Sequence, residues 1–169
     1  GKPALPTTLR LQGTATAEGL QQARELGLAA RLGQYASGAA AYSVVLGLRA
    51  GTPELQISSN LVGMALRLPA PFAKAAETPL PLRVETAVLR TAPKPDAGGL
   101  VATQDQLQLD IGRLLNLVYV RDVTGANPRV LRGAIALGLG VDESAPLPDA
   151  GVVANINASG LDLDAWTTV

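Results

Sequence analysis

Apolar and polar residues alternate with a period of two along most of this chain. That constrains it more than any other feature, because only an extended strand puts residues i, i+2 and i+4 on one face. From Thr8 to Ala17 the pattern sets Leu9, Leu11, Gly13, Ala15 and Ala17 against Thr8, Arg10, Gln12, Thr14 and Thr16. It returns from Ala40 to Ala50, with Tyr42, Val44, Leu46 and Leu48 in one row and Ser43, Val45 and Gly47 in the other. From Glu54 to Leu68 the row begins as Leu55, Ile57 and Leu61 and passes to Met64, Leu66 and Leu68. A change of parity near Gly63 predicts a bulge there. Four more strands follow: Leu80 to Thr91 through Leu82, Val84 and Val88; Asp105 to Gly112 through Leu107, Leu109 and Ile111; Asn116 to Asp122; and Val130 to Val141 through Leu131, Ile135, Leu137 and Leu139. Val152 to Gly160 supplies the last.

Between Gly19 and Ala36 the alternation lapses. Leu28, Leu32, Tyr35 and Ala36 then share one face of a helical wheel, with Gly27 as a break between two short pieces. Four Pro-x-Pro pairs hold eight of the twelve prolines, at Pro69 and Pro71, Pro79 and Pro81, Pro93 and Pro95, and Pro146 and Pro148. Proline cannot donate to a ladder, so these pairs mark the ends of elements. Short connectors favour antiparallel neighbours over crossovers. The expected fold is mainly β: a single module over residues 1–169 with about eight antiparallel strands in a long twisted sheet or groove, and one short helical segment at about 19–36.

The residue inventory excludes much chemistry. With no histidine and no cysteine, serine–histidine triads, thiol nucleophiles, disulfides and the metal sites built on those ligands are all ruled out. Fourteen basic residues balance fourteen acidic ones, so the charge that nucleic-acid binding needs is lacking. Phosphate-loop and dinucleotide fingerprints are absent as well. Asp162 and Asp164 are the candidate carboxylate pair for a hydrolase or a calcium site, but an exposed strand end, or a helix start at Asp164 before Trp166, explains them better. The longest charge-free run, between Arg31 and Arg49, has 17 residues, and strand alternation takes over within it, so no membrane span is expected. No cofactor, no metal and no enzymatic activity are expected.

What remains is diffuse and aliphatic. Apolar residues make up 47% of the chain, aromatic ones only 3% and charged ones 17%. Either an ordinary sandwich buries these side chains, or an open sheet keeps one apolar face accessible for an aliphatic ligand.

The stretch from Leu55 to Lys74, LQISSNLVGMALRLPAPFAK, followed by PLPLRV from Pro79 to Val84, resembles the central region of YhdP-type proteins of the AsmA-like family. Arg132-Gly133 before an apolar strand, and GLDLDAW from Gly160 to Trp166, are similar to the same family's later landmarks. The resemblance runs from about Pro6 to the end, and Leu68-Pro-Ala-Pro71 is its most specific part. It implies the periplasmic part of a Gram-negative envelope protein anchored in the inner membrane, whose β-groove modules carry phospholipid toward the outer membrane. The anchor and most of the length of such proteins would lie outside these residues. The implied partners are phospholipid acyl chains and adjacent modules of the same full-length chain, with membrane contact only through those other parts.

About eight strands at ~4.8 Å would make a groove of roughly 38 Å, enough to cradle a lipid or two but not to bridge two membranes. The candidate groove residues are Val44, Leu46, Leu48, Leu55, Ile57, Leu82, Val84, Leu107, Leu109, Ile111, Ile135, Leu137 and Leu139. The family-motif loop comprises Leu68, Pro69, Ala70, Pro71, Phe72 and Lys74, as a gate, a headgroup contact or a connector. The competing expectation is a passive spacer or outer-membrane assembly scaffold whose apolar face is sealed by the helix at Gly19 to Ala36.

Overall fold

A computed structural model describes residues 8–23, 28–49, 52–89, 103–125, 127–138, 140, 145–157 and 163–167. Nine strands form one sheet: β1 (Thr8–Thr16), β2 (Ala36–Arg49), β3 (Thr52–Ser59), β4 (Met64–Leu66), β5 (Leu82–Leu89), β6 (Gln104–Ile111), β7 (Leu115–Asp122), β8 (Arg129–Leu137) and β9 (Gly151–Ile156). Eight of them run side by side in the order β1-β2-β3-β5-β6-β7-β8-β9, and β4 pairs with the start of β2. The short helices α1 (Ala17–Gln22) and α2 (Leu28–Leu32), with a 3-10 turn at Gly33–Tyr35, connect β1 to β2, and α3 (Leu163–Trp166) follows β9. The mainly β, open-sheet expectation holds.

Four details differ from the sequence reading. The helical segment ends earlier than Ala36, which is already the first residue of β2. The parity change near Gly63 is a strand break rather than a bulge: β3 stops at Ser59, the chain turns, and β4 returns to pair Met64 with Gly38. Gly38 and Gly63 both have positive φ, at 89° and 96°. A methyl on either would overlap a backbone oxygen, that of Gly63 or of Ala39 respectively, so two glycines are what let the backbones meet here. A bulge does occur elsewhere: between β7 and β8 the register shifts at Val120/Arg121, leaving Leu131 as the extra residue. Finally, β9 pairs with β8 in parallel, whereas every other pair is antiparallel.

Among the described residues the buried core is small and lies off the centre of the sheet. Thr16 caps α1 by accepting from the Gly19 amide at 3.0 Å, which seats Ala17 against Ala36, Ala40 and Met64, with Leu20, Leu61 and Leu66 packed around them. Gln21 of α1 donates to the Gly33 carbonyl at 2.9 Å and ties the helical connection together. A second buried spot comprises Val120 and Ala134 beside Arg132, whose guanidinium donates to the Pro148 carbonyl at 3.4 Å. There the β8–β9 connection rests on the face opposite the apolar rows.

Candidate functional site

Direct cross-strand partners point to the same side of a sheet, so the register defines the two faces. One row crosses all eight strands without a polar residue: Leu11, Val44, Ile57, Val84, Leu109, Leu117, Ile135 and Ala154. Seven spacings of ~4.8 Å give it a length of about 34 Å. On one side of it the row Leu9, Leu46, Leu55 is continued by Thr86, Leu107, Tyr119, Gly133 and Val152. On the other side stand Gly13, Tyr42, Ser59, Leu82, Ile111, Leu115, Leu137 and Ile156. The opposite face is mixed: Arg10, Gln12, Ser43, Ser58, Gln56, Glu85, Gln108 and Asn116 share it with Val45, Val118, Ala134 and Val153.

Val44, Leu46, Leu48, Leu55, Ile57, Leu82, Val84, Leu107, Leu109, Ile111, Ile135 and Leu137 therefore all lie on one face. Leu139 lies outside the described residues, as does Asp162 of the carboxylate pair. None of the twelve is fully buried. Toward the margins exposure rises: Leu9, Leu11 and Leu48 are 50%, 51% and 54% exposed, and Val152 and Ile156 on β9 are each 51% exposed. Among the described residues, α1 packs through Ala17 and Leu20 at the Ala36, Ala40 and Met64 corner. Leu11, Leu115, Leu117, Tyr119 and Ile156 belong to the same face, although sequence reasoning did not place them in the groove. The alternation Leu115-x-Leu117-x-Tyr119 was the available signal, and the tight turn from Ile111 to Leu115, closed by Leu114 N–H to the Ile111 carbonyl at 3.0 Å, sets its parity.

One margin is charged. Asp105 and Arg121 are direct cross-strand partners, and the guanidinium grips the carboxylate through both oxygens, Nε to Oδ1 at 2.9 Å and Nη2 to Oδ2 at 2.6 Å. Asp105 is 7% exposed, so the paired geometry offsets the cost of removing a carboxylate from water. This pair closes the rows where they run toward the β5–β6 and β7–β8 connections.

The Leu68–Lys74 loop is tied down. Lys74 Nζ donates to the carbonyls of Leu61 at 2.8 Å and Ala75 at 3.0 Å, and to that of Met64. An ammonium group has three N–H donors, and three carbonyls receive them, so this lysine is a staple rather than a free headgroup contact. Desolvation pushes its pKa below the usual lysine value, partly opposed by Glu77. Leu68 is buried. Phe72 meets Trp166 of α3 edge to face, with ring centroids 5.7 Å apart and planes at 90°, and Trp166 Nε1 donates to the Ala70 carbonyl at 3.4 Å. The loop thus receives α3.

Elsewhere, a shallow concavity of about 700 Å³ lies between β1, β2 and β3. Its walls include Gln12, Thr14 and the mutually bonded hydroxyls of Ser43 and Ser58, 2.7 Å apart. Among the described residues no three carboxylates come together as a metal site, and no helix is long and apolar enough to cross a membrane.

An open sheet with one nearly continuous aliphatic face and a mixed opposite face defines a β-groove architecture. The family described as YhdP protein matches residues 2–169, so the chain belongs to the YhdP family. Comparison with curated proteins and with solved structures gives no match.

Proposed function

We propose that this chain is a non-enzymatic phospholipid-binding and transfer module of a bridge-like lipid transport protein in the Gram-negative envelope. The aliphatic row that crosses all eight strands, none of its members buried among the described residues, carries the reading. An acyl chain laid against such a floor gains ~0.8 kcal/mol for each methylene taken from water. Uniformly apolar contacts favour no single register, so the chain can slide with little barrier. A phospholipid headgroup would stay in solvent at the margin.

Membership of the YhdP family supports the same assignment, and with it a periplasmic location and an inner-membrane anchor outside these residues. The half-exposed rows at β1 and β9 support continuation of the groove into adjacent modules of the same full-length chain. A passive spacer needs a closed apolar core. Among the described residues the main buried cluster is the small one around Ala17 and Met64, which favours the open groove.

The test is native mass spectrometry with lipid extraction on protein purified from a Gram-negative periplasm, beside a Val84→Asp/Leu109→Asp variant. These two residues are direct neighbours at the centre of the row, neither is buried, and far-UV circular dichroism checks that the variant is folded. Retained phospholipid in the parent and none in a folded variant is the expected result. A clean apo mass that refuses added phospholipid would refute the reading and leave the spacer in its place.

A further inference from the structure

Two of the chain's three tyrosines lie on the apolar face, and each stands directly opposite a glycine: Tyr42 opposite Gly13, and Tyr119 opposite Gly133. Both rings fold down over their glycine. A methyl added at Gly133 would overlap Cδ1 of Tyr119 and come within 2.5 Å of Cε1, and one added at Gly13 would come within 2.8 Å of the Tyr42 hydroxyl. Side-chain carbons essentially never approach another atom closer than 3.0 Å. The rings therefore occupy the space that a side chain on the neighbouring strand would take.

We propose that Gly133 is a specificity-determining position for acyl chains, because it holds Tyr119 flat as part of the groove floor and keeps the apolar channel open. This inference rests on the lipid reading of the face. The alternatives open to a displaced ring decide its effect. Tyr119 is flanked on its other side by Leu107 and along its own strand by Leu117 and Arg121, so a ring driven off Gly133 has only the groove above it to enter. Tyr42 has the smaller Ser59 on its other side, and its hydroxyl, Cζ and Cε1 come no nearer than 2.8–3.0 Å to a methyl at Gly13, a looser approach than that of Tyr119 at Gly133, so it has somewhere else to lie. The two glycines are therefore unequal: Gly133 is the sensitive one and Gly13 the tolerant one.

Parinaric acid, a fatty acid that fluoresces when its chain leaves water, serves as probe on the whole chain. Gly133→Ala should bind it roughly tenfold more weakly, the equivalent of about two methylenes of lost contact. Gly47→Ala, on the opposite face where an added methyl meets nothing within 4 Å, should stay within about twofold of the parent, and Gly13→Ala should lose less binding than Gly133→Ala. Adding Tyr119→Leu to Gly133→Ala should restore binding, which a general loss of sheet stability would not allow. Full binding by folded Gly133→Ala, or a double variant as weak as the single, would overturn the inference while leaving the lipid reading intact. A parent that ignores the probe would overturn the lipid reading itself, and this inference with it. Should Gly133→Ala not fold, fluorine NMR of 3-fluorotyrosine-labelled parent decides: the Tyr119 resonance should shift on saturation while Tyr35, outside the face, does not. An unmoved Tyr119 would overturn the proposal.

Discussion

Gly63→Ala isolates the place where the backbones of β2 and the β3–β4 turn touch. Gly63 has φ of 96°, its carbonyl accepts from the Ala39 amide at 3.1 Å, and its own amide donates to the Ala76 carbonyl at 2.7 Å. Holding an alanine in that conformation costs ~2 kcal/mol. Its methyl would overlap the Ala39 oxygen, so the backbones must part and both hydrogen bonds loosen, at ~1 kcal/mol each. The reduced entropy of the unfolded chain returns ~0.5–1 kcal/mol, leaving a net loss of roughly 3 kcal/mol. For a chain of this size that corresponds to a fall in Tm of about 6–12 °C. Gly47→Ala is the matched control, because a methyl there meets nothing within 4 Å and should be neutral or stabilising by up to ~1 kcal/mol. Urea unfolding followed by far-UV circular dichroism, with thermal melts alongside, measures both. A Gly63→Ala variant within ~1 kcal/mol of the parent, or an equal loss in Gly47→Ala, would refute the close-approach argument.

Three further outcomes follow from contacts already described. Asp105→Ala strands the Arg121 guanidinium at the groove margin and should cost about 2–3 kcal/mol, between surface and fully buried pairs; Asp105→Leu/Arg121→Met should recover most of it in the same urea assay. Trp166, the only tryptophan, reports on the docking of α3: Phe72→Ala should shift its emission to the red with the far-UV spectrum unchanged, and a constant emission maximum would mean the edge-to-face contact does not hold the helix. Hydrogen bonding from Thr124, side chain first and then backbone, together with Arg129 holds the Asp122 carboxyl below its ordinary value of 3.8. The unfolded chain takes up that proton first, so this stabilisation is complete above the ordinary carboxylate range and disappears as pH falls through the lower folded value. Asp122→Asn should accordingly flatten the acid limb of a stability–pH curve, and an unchanged limb would count against the Thr124 contacts.

The apolar face was legible in the sequence because alternation fixes parity within a strand whatever the register between strands. Val44, Leu46 and Leu48 had to share a side, as did Leu107, Leu109 and Ile111, and tight connections such as Gly112 to Leu114 carry that side into the next strand. Direction and distant contact leave no such trace. The period of β9 is the same whether it runs with β8 or against it, so its parallel pairing was invisible. Gly38 and Gly63 each announce conformational freedom, yet nothing local says that the two meet across 25 residues of chain. The same holds for Tyr119 and Gly133: a tyrosine in an apolar row reads as a protruding side chain until the strand beside it is known to offer a vacancy. The Leu68–Lys74 loop stayed open between a gate, a headgroup contact and a connector, because the three carbonyl acceptors of Lys74 come from a fold-dependent turn.

The parallel pairing also decides where the polypeptide arrives after crossing the sheet. Eight strictly alternating passes would bring it back to the rim from which β1 sets out, beside the Asp105–Arg121 pair. One pass repeated in the same sense shifts the count by half a cycle, so β9 finishes at the opposite rim, where the β1–β2 helices and the Leu68–Lys74 loop are gathered. That is the rim at which Trp166 finds Phe72. The chain thus steps diagonally over its own trough, entering by one bank and leaving by the other.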